Sequence, residues 1–401
     1  MTNDSTGRPK KTSGKKSAAK KAVSKTPRAR SQPVADIAVP PGIPNVFDAP
    51  DLLKPPVRRA AYSDRTAWLM AALSELAYFQ FEGTQAGLES LITDIHGIVT
   101  GKTSEESRKK LSQLVIGFLL KQQHTDTDAK ERLRETLAIA GLTLDSVYNA
   151  AGTQAFLAHR DPEGDSTGMR VLVFRGTEMN MKDVWTDLDA TMVPAIGAIG
   201  DEKVHRGFQR AYEAIRADVE KDLRDRQHLP LYIAGHSLGG ALAIVATWFT
   251  AANSLGACYT FGGPRVGNLE FGERFKTPIY RVVNASDYVP RVPPNWVKHL
   301  AALLRGLCRL VPVPGMDFLI RQLHRFSGYV HFGDMRYLRY SDMGANGDYP
   351  MMRVISNPAL SVRAGWVIRR WISTRGKGGV EDHSISIYRK KLRAFAVRRN
   401  S

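Results

Sequence analysis

The segment Leu231–Gly240, LYIAGHSLGG, sets a serine between two glycines in the pattern Gly-x-Ser-x-Gly, behind a short β-prone run and ahead of the long apolar run LGGALAIVATWFTAA. A strand that turns this sharply into a helix lifts the serine hydroxyl above a sheet. Gly235 and Gly239 suit such a turn, because the strained serine backbone needs close neighbours that carry no Cβ. Ser237 is the candidate nucleophile. The Leu238 N–H, at the positive end of the helix, is a candidate donor to an oxyanion. A serine hydroxyl needs a base, and the base needs an orienting carboxylate. With this kind of turn they follow in the chain order serine, acid, histidine. His383, in the glycine-rich run GGVEDHSISIY, lies late enough for the chain to return over the sheet. His299 and His324 fall in a basic stretch of helical pattern, and His331 in the strand-like YVHFGDMRYL. Asp287 follows the strand-like IYRVVN, and the carboxyl end of a strand is where open α/β sheets place functional groups. Its rivals are Asp317, Asp334, Asp342, Asp348, Glu381 and Asp382, the last disfavoured because adjacent loop residues rarely face each other.

These residues must be positioned by the elements around them. From Ser63, SDRTAWLMAALSELAYFQ predicts an amphipathic helix behind a Ser or Asp cap, and EESRKKLSQLVIGFLLKQQ a second helical stretch. TQAFLAHR and MRVLVFR, parted by the turn-like DPEGDSTG, predict paired strands. A helix around HRGFQRAYEAIRADVEKDLRDR, the strand LYIAG, the helix from Leu238, and the strands ACYTFG and IYRVVN then alternate. That alternation predicts a mostly parallel sheet with helices on its faces.

Six motifs, in order, resemble the class 3, or fungal-type, lipases of the α/β-hydrolase fold. They are VFRGTE at Val173–Glu178, VHRGF at Val204–Phe208, GHSLGGALA at Gly235–Ala243, TFGGPRVGN at Thr260–Asn268, NASDYVPRVPP at Asn284–Pro294 and DHSISIY at Asp382–Tyr388. The resemblance runs from about Asp64 to Tyr388. It implies Ser237 as nucleophile, Asp287 as acid, His383 as base, and Thr177 as the second oxyanion donor beside Leu238. It also implies hydrolysis of lipid esters, with phospholipase A1 activity on anionic phospholipid, or a non-catalytic binding protein of this fold, as the alternatives. The run between Thr177 and His205 resembles the family's lid. Met181, Trp185 and Leu188 give it an apolar face that could exchange contact with the core for contact with lipid, the alternative being an ordinary packed helix. The interval from Asp287 to His383 is long and contains a basic, helix-patterned insertion over 298–328. Both an interfacial anchor and a cap over the acyl pocket fit it.

Composition narrows the remaining choices. The 401 residues are 43% hydrophobic and 24% charged, which excludes collagen-like, mucin-like and wholly disordered chains. The net charge of +18 is unevenly spread. Residues 1–32 carry +9 and residues 353–401 carry +10, leaving the middle at −1. A near-neutral core with basic ends suits peripheral contact with an anionic membrane surface better than a groove tracking phosphates, so no specific nucleic acid is expected. The run over residues 7–33 has almost no apolar side chains and predicts a disordered basic tail, with a polyanion tether and a transit peptide as further readings. The proline-rich PVADIAVPPGIPNVFDAPDLLKPP predicts a linker, so the tail and linker are expected over 1–59 and the folded domain over 60–401. With Cys258 and Cys308 as the two cysteines and no pattern of a standard signal peptide, a reducing, cytoplasmic or peripheral-membrane setting is expected, export by a signal-independent route being compatible. No Cys or His cluster has ligand spacing, and neither metal nor cofactor is expected.

Overall fold

The computed structural model describes residues 45–55, 61–80, 128–164, 167–176, 191–250, 256–293, 297–310, 316–375 and 377–400. All belong to one compact unit, Ala38–Ser401. Its centre is an eight-stranded sheet. In chain order the strands of the fold are β1 (Thr143–Ala150), β2 (Thr153–Arg160), β3 (Met169–Phe174), β4 (Met192–Pro194), β5 (Lys203–His205), β6 (Leu231–His236), β7 (Cys258–Phe261), β8 (Ile279–Asn284), β9 (Asp334–Leu338) and β10 (Val354–Ser356). The sheet order is β1-β2-β3-β6-β7-β8-β9-β10, with β4 and β5 forming a separate small ladder. The run β3-β6-β7-β8-β9 is parallel, and β1, β2 and β10 add antiparallel edges.

The helices cover both faces, as strands buried along their whole length, such as MRVLVF, require. They are α1 (Asp64–Gln80), α2 (Arg206–Asp222), α3 (Leu238–Thr250), α4 (Leu269–Glu273), α5 (Val297–Leu310), α6 (Met316–Arg325), α7 (Leu360–Thr374), α8 (Gly378–Glu381) and α9 (Ile385–Asn400), and residues 128–139 are helical as well. One core joins α1 and α9 to the sheet, with Trp68, Leu73, Tyr259 and Leu392 near its centre. The other packs α2 and α3 on the opposite face through Tyr212, Ile215 and Ile244.

Two expectations are corrected here. The helix α1 is not amphipathic: Ala67 to Ala77 are buried without a break, because the sheet lies on one side and α9 on the other. Its polar side chains are matched internally, Ser74 to the Met70 carbonyl, Glu75 to Arg389 at 2.6 Å and Asp64 to Arg399 at 2.6 Å. The folded domain also begins before residue 60. Val46, Phe47 and Leu52, within the stretch expected as linker, are part of the first core, since three large apolar side chains find a ready face there. Residues 385–400, within the basic stretch 353–401, form a helix whose cations are largely engaged. Arg389 and Arg393 reach Asp48, and Lys391 is 2% exposed in its side chain. The expected insertion appears as α5 and α6, with Val297, Ala301 and Ile320 buried and Leu303, Phe318 and Leu319 exposed. The second predicted helix, over 105–123, lies outside the described residues.

Candidate active site

Three adjacent parallel strands, β6, β7 and β8, end at one rim, and each hands the chain to a turn that matters. After β6 comes Ser237, whose φ of +56° is unusual for a residue with a Cβ. Its N–H is held by the Phe261 carbonyl at 2.9 Å. Such a turn is possible because Gly235 and Gly239 face backbone directly. A Cβ on Gly235 would strike the Gly239 carbonyl, and one on Gly239 would lie 2.5 Å from the Phe174 carbonyl. Leu238 opens α3, so its N–H has no carbonyl within the helix to bond.

After β7 comes Gly262, with φ of +59°. A side chain there would put a Cβ 2.6 Å from Asp287 Oδ2 and 3.1 Å from His383 Nδ1. After β8 comes Asp287, fully buried. Its carboxylate accepts from the Val289 N–H at 3.0 Å and from the Tyr388 hydroxyl at 2.6 Å. The remaining partner is His383: Nδ1 lies 3.0 and 3.1 Å from the two Asp287 oxygens, and Nε2 lies 2.9 Å from Ser237 Oγ. Burial pushes the Asp287 carboxyl above its ordinary range, while the bonds from His383, Tyr388 and Val289 act in the opposite direction. With Nδ1–H donating to Asp287, Nε2 is left as the acceptor for the serine proton.

The structure therefore brings Ser237, Asp287, His383 and Leu238 to one place. Thr177 and the lid residues Met181, Trp185 and Leu188 lie outside the described residues. The turn leading to Thr177 is nonetheless beside the site, since a Cβ on Gly176 would sit 3.2 Å from Ser237 Cβ. His331 is occupied elsewhere and bonds the Pro290 carbonyl. Of the rival acids, Glu381 pairs with Arg370 at 3.0 Å, and Asp334 with Asn357 and Arg336. Among the described residues, no group of His, Cys, Asp and Glu could hold a metal.

Sequence reasoning misses a second group of residues, which hold the histidine. His236 stands between Gly235 and Ser237, and its Nε2–H donates to the His383 carbonyl at 2.6 Å. Its Nδ1 accepts from the Tyr78 hydroxyl at 2.8 Å. Burial, reinforced by the nearby His383, keeps the His236 pKa well below the ordinary value, so it stays neutral. Asn284, at the end of β8 and fully buried, donates from Nδ2 to the Asp382 carbonyl at 2.7 Å, and its Oδ1 accepts from Lys391 at 2.6 Å. The Asp382 carboxylate accepts from the Ser286 N–H at 3.0 Å and hydroxyl at 2.9 Å, and faces Arg370 at 3.3 Å. Asp382 is thus turned away from the imidazole that follows it and anchors the turn from below. Burial pulls the Lys391 ammonium down to about 8, against the pull of Asp382. No spacing rule links positions 236, 284, 382 and 391. The available signal was that His236, Asn284, Asp382 and Tyr388 all fall inside the motifs quoted from the sequence, whereas Lys391 lies outside them.

A mostly parallel sheet between helical layers, with a strained serine between β6 and α3 and a histidine and carboxylate at the same rim, defines an α/β-hydrolase fold. Residues 171–296 match the profile of the family described as Lipase (class 3). It is 33% identical over 171 residues to Toxin TseL of Vibrio cholerae serotype O1 (strain ATCC 39315 / El Tor Inaba N16961), covering 38% of this chain and 26% of that one. It is 30% identical over 197 residues to Triacylglycerol lipase OBL1 of Arabidopsis thaliana, covering 35% and 37% respectively. Among solved structures, lipase II from Rhizopus niveus aligns over 56% of this chain and 73% of that one, at 22% identity and a TM-score of 0.39. The chain spans well under half the length of the two curated relatives.

Proposed function

We propose that the protein is a serine carboxylester hydrolase acting on lipid esters, an acylglycerol lipase. The observation that carries this reading is the line from Ser237 Oγ through His383 Nε2 and Nδ1 to the Asp287 carboxylate. His383 takes the Ser237 proton as Oγ attacks the ester carbonyl, and Asp287 steadies the imidazolium that forms. The oxyanion is held by the Leu238 N–H and by Thr177 as second donor. Collapse expels the alcohol, which takes its proton from Nε2. Water, activated by the same imidazole, then releases the fatty acid from Ser237. The segment bearing Met181, Trp185 and Leu188 acts as the cover that opens toward lipid.

A second reading, phospholipase A1 action on anionic phospholipid, is favoured by the charge of +9 in residues 1–32, which would hold the chain peripherally at an anionic membrane. The test is one set of assays. Wild type and Ser237→Ala are treated with a fluorophosphonate probe and offered triacylglycerol, monoacylglycerol and phosphatidylglycerol. Labelling and turnover by wild type alone support the hydrolase, and the preferred ester selects between the two readings. An unlabelled wild type that turns over none of the three would leave a binding protein of this fold.

A further inference from the structure

We propose that α7 is a membrane-docking helix that lays its outer face on an anionic lipid surface next to the His383 turn. The inference rests on the reading of the protein as a lipid-ester hydrolase but is tested apart from it.

Not one of the 15 residues of α7 is buried, although seven of them are Leu, Val, Ile or Trp. Leu360 is 73% exposed, Ile368 58%, Trp371 63% and Ile372 65%. At about 100° per residue these four fall within roughly 120° of the helix circumference. An exposed tryptophan among isoleucines and a leucine, on one continuous face, is unusual for a surface that meets only water.

The opposite face shows why the helix sits this way round. Arg339 stacks on the Trp366 ring at 4.5 Å, Arg370 on the Tyr340 ring at 5.3 Å, and Arg370 reaches Glu381 and Asp382 at 3.0 and 3.3 Å. The helix is thus fastened to the domain by its aromatic and arginine side, and its aliphatic side is turned outward. This reverses the usual burial of an amphipathic surface helix.

Charge selects the occupant. From Met351 to Val380 the chain has six Arg or Lys and no acidic residue, and Arg369, Arg375 and Lys377 are exposed. Exposed cations beside an apolar face with a tryptophan fit the boundary between anionic headgroups and acyl chains. A soluble protein partner would need acidic groups placed to match each arginine, whereas a lipid surface supplies them everywhere.

Position supplies the functional link. The turn after α7 passes through α8, which carries Val380, 67% exposed, and the Val380 carbonyl accepts the His383 N–H at 3.1 Å. Docking through α7 therefore sets the base-bearing turn against the layer that contains the esters.

The experiment uses the full chain carrying Ser237→Ala, so that binding is read without hydrolysis, with and without the added pair Trp371→Ser and Ile372→Ser. Each is sedimented with vesicles of phosphatidylglycerol and of phosphatidylcholine. The expected result is binding to phosphatidylglycerol vesicles that falls about ten-fold in the added pair, little binding to phosphatidylcholine, and an unchanged melting temperature. In the active background the same pair should leave hydrolysis of a dissolved short-chain ester intact and lower hydrolysis of vesicle lipid. Equal vesicle binding with and without the pair overturns the proposal, as does a change of oligomeric state in place of a change of binding, which would make the face a contact between copies. Loss of dissolved-ester activity in the unmutated chain would instead overturn the hydrolase reading and leave the docking result standing.

Discussion

Ser237 and Asp287 lie within residues 171–296, the part matched to the family, and main chain ties both: the Phe261 carbonyl for one, the Val289 N–H, joined by the Tyr388 hydroxyl, for the other. His383 lies almost a hundred residues further on, outside that part, and besides the Val380 carbonyl on its N–H it is held by side chains: His236, Asn284, Asp382 and Lys391. Strand ends are fixed by the sheet and tolerate much change around them. A turn brought back over the sheet by a long insertion has no ladder to register it, so its place depends on buried polar groups matched one to one. Each of those groups is costly if its partner goes.

The sharpest break of that comparison is at Ser237. Ser237→Ala should lower kcat by about 10⁶-fold and abolish fluorophosphonate labelling, whereas removal of one tie on the histidine should leave labelling slow but present. Gly262→Ala comes next. The added Cβ would press on both the Asp287 carboxylate and the imidazole, and kcat should fall by about 10²-fold, since misplacing a reacting group by one ångström has that effect. A fold retained by circular dichroism would locate the loss in the site.

Tyr388→Phe removes the hydroxyl that donates to Asp287 and accepts the Asn284 N–H. About ten-fold in kcat, with KM unchanged, is expected from losing one hydrogen bond to a charged group. An unchanged kcat would mean that main chain alone fixes Asp287, which would widen the contrast with His383.

The smallest effect is on stability. The Lys391 ammonium titrates near 8 in the folded protein and near its ordinary value of 10.5 in the unfolded chain. Between those values the unfolded chain binds more protons, so this lysine makes stability rise with pH through that window. Lys391→Met removes the proton difference. The variant should therefore lack a pH-dependent gain on the order of 3 kcal/mol between pH 8 and 10.5 that wild type shows. Parallel stability curves for the two would show that the lysine is not buried as described.

The sequence by itself determined the alternation of strand and helix, because MRVLVF, LYIAG and IYRVVN are short, mostly apolar, β-rich runs between turn signals. It also determined the serine turn, because the two glycines around Ser237 answer to a local clash with backbone. These are short-range matters, written in neighbours along the chain. The sequence did not reveal that α1 is buried from Ala67 to Ala77, that Val46 and Leu52 join the core, or that Arg389 and Arg393 of α9 turn to Glu75 and Asp48. Nor did it reveal that α7 turns its apolar side outward. Each of those was decided only by the tertiary structure, because each depends on which residues, far apart in number, come to share one small volume from which water is excluded.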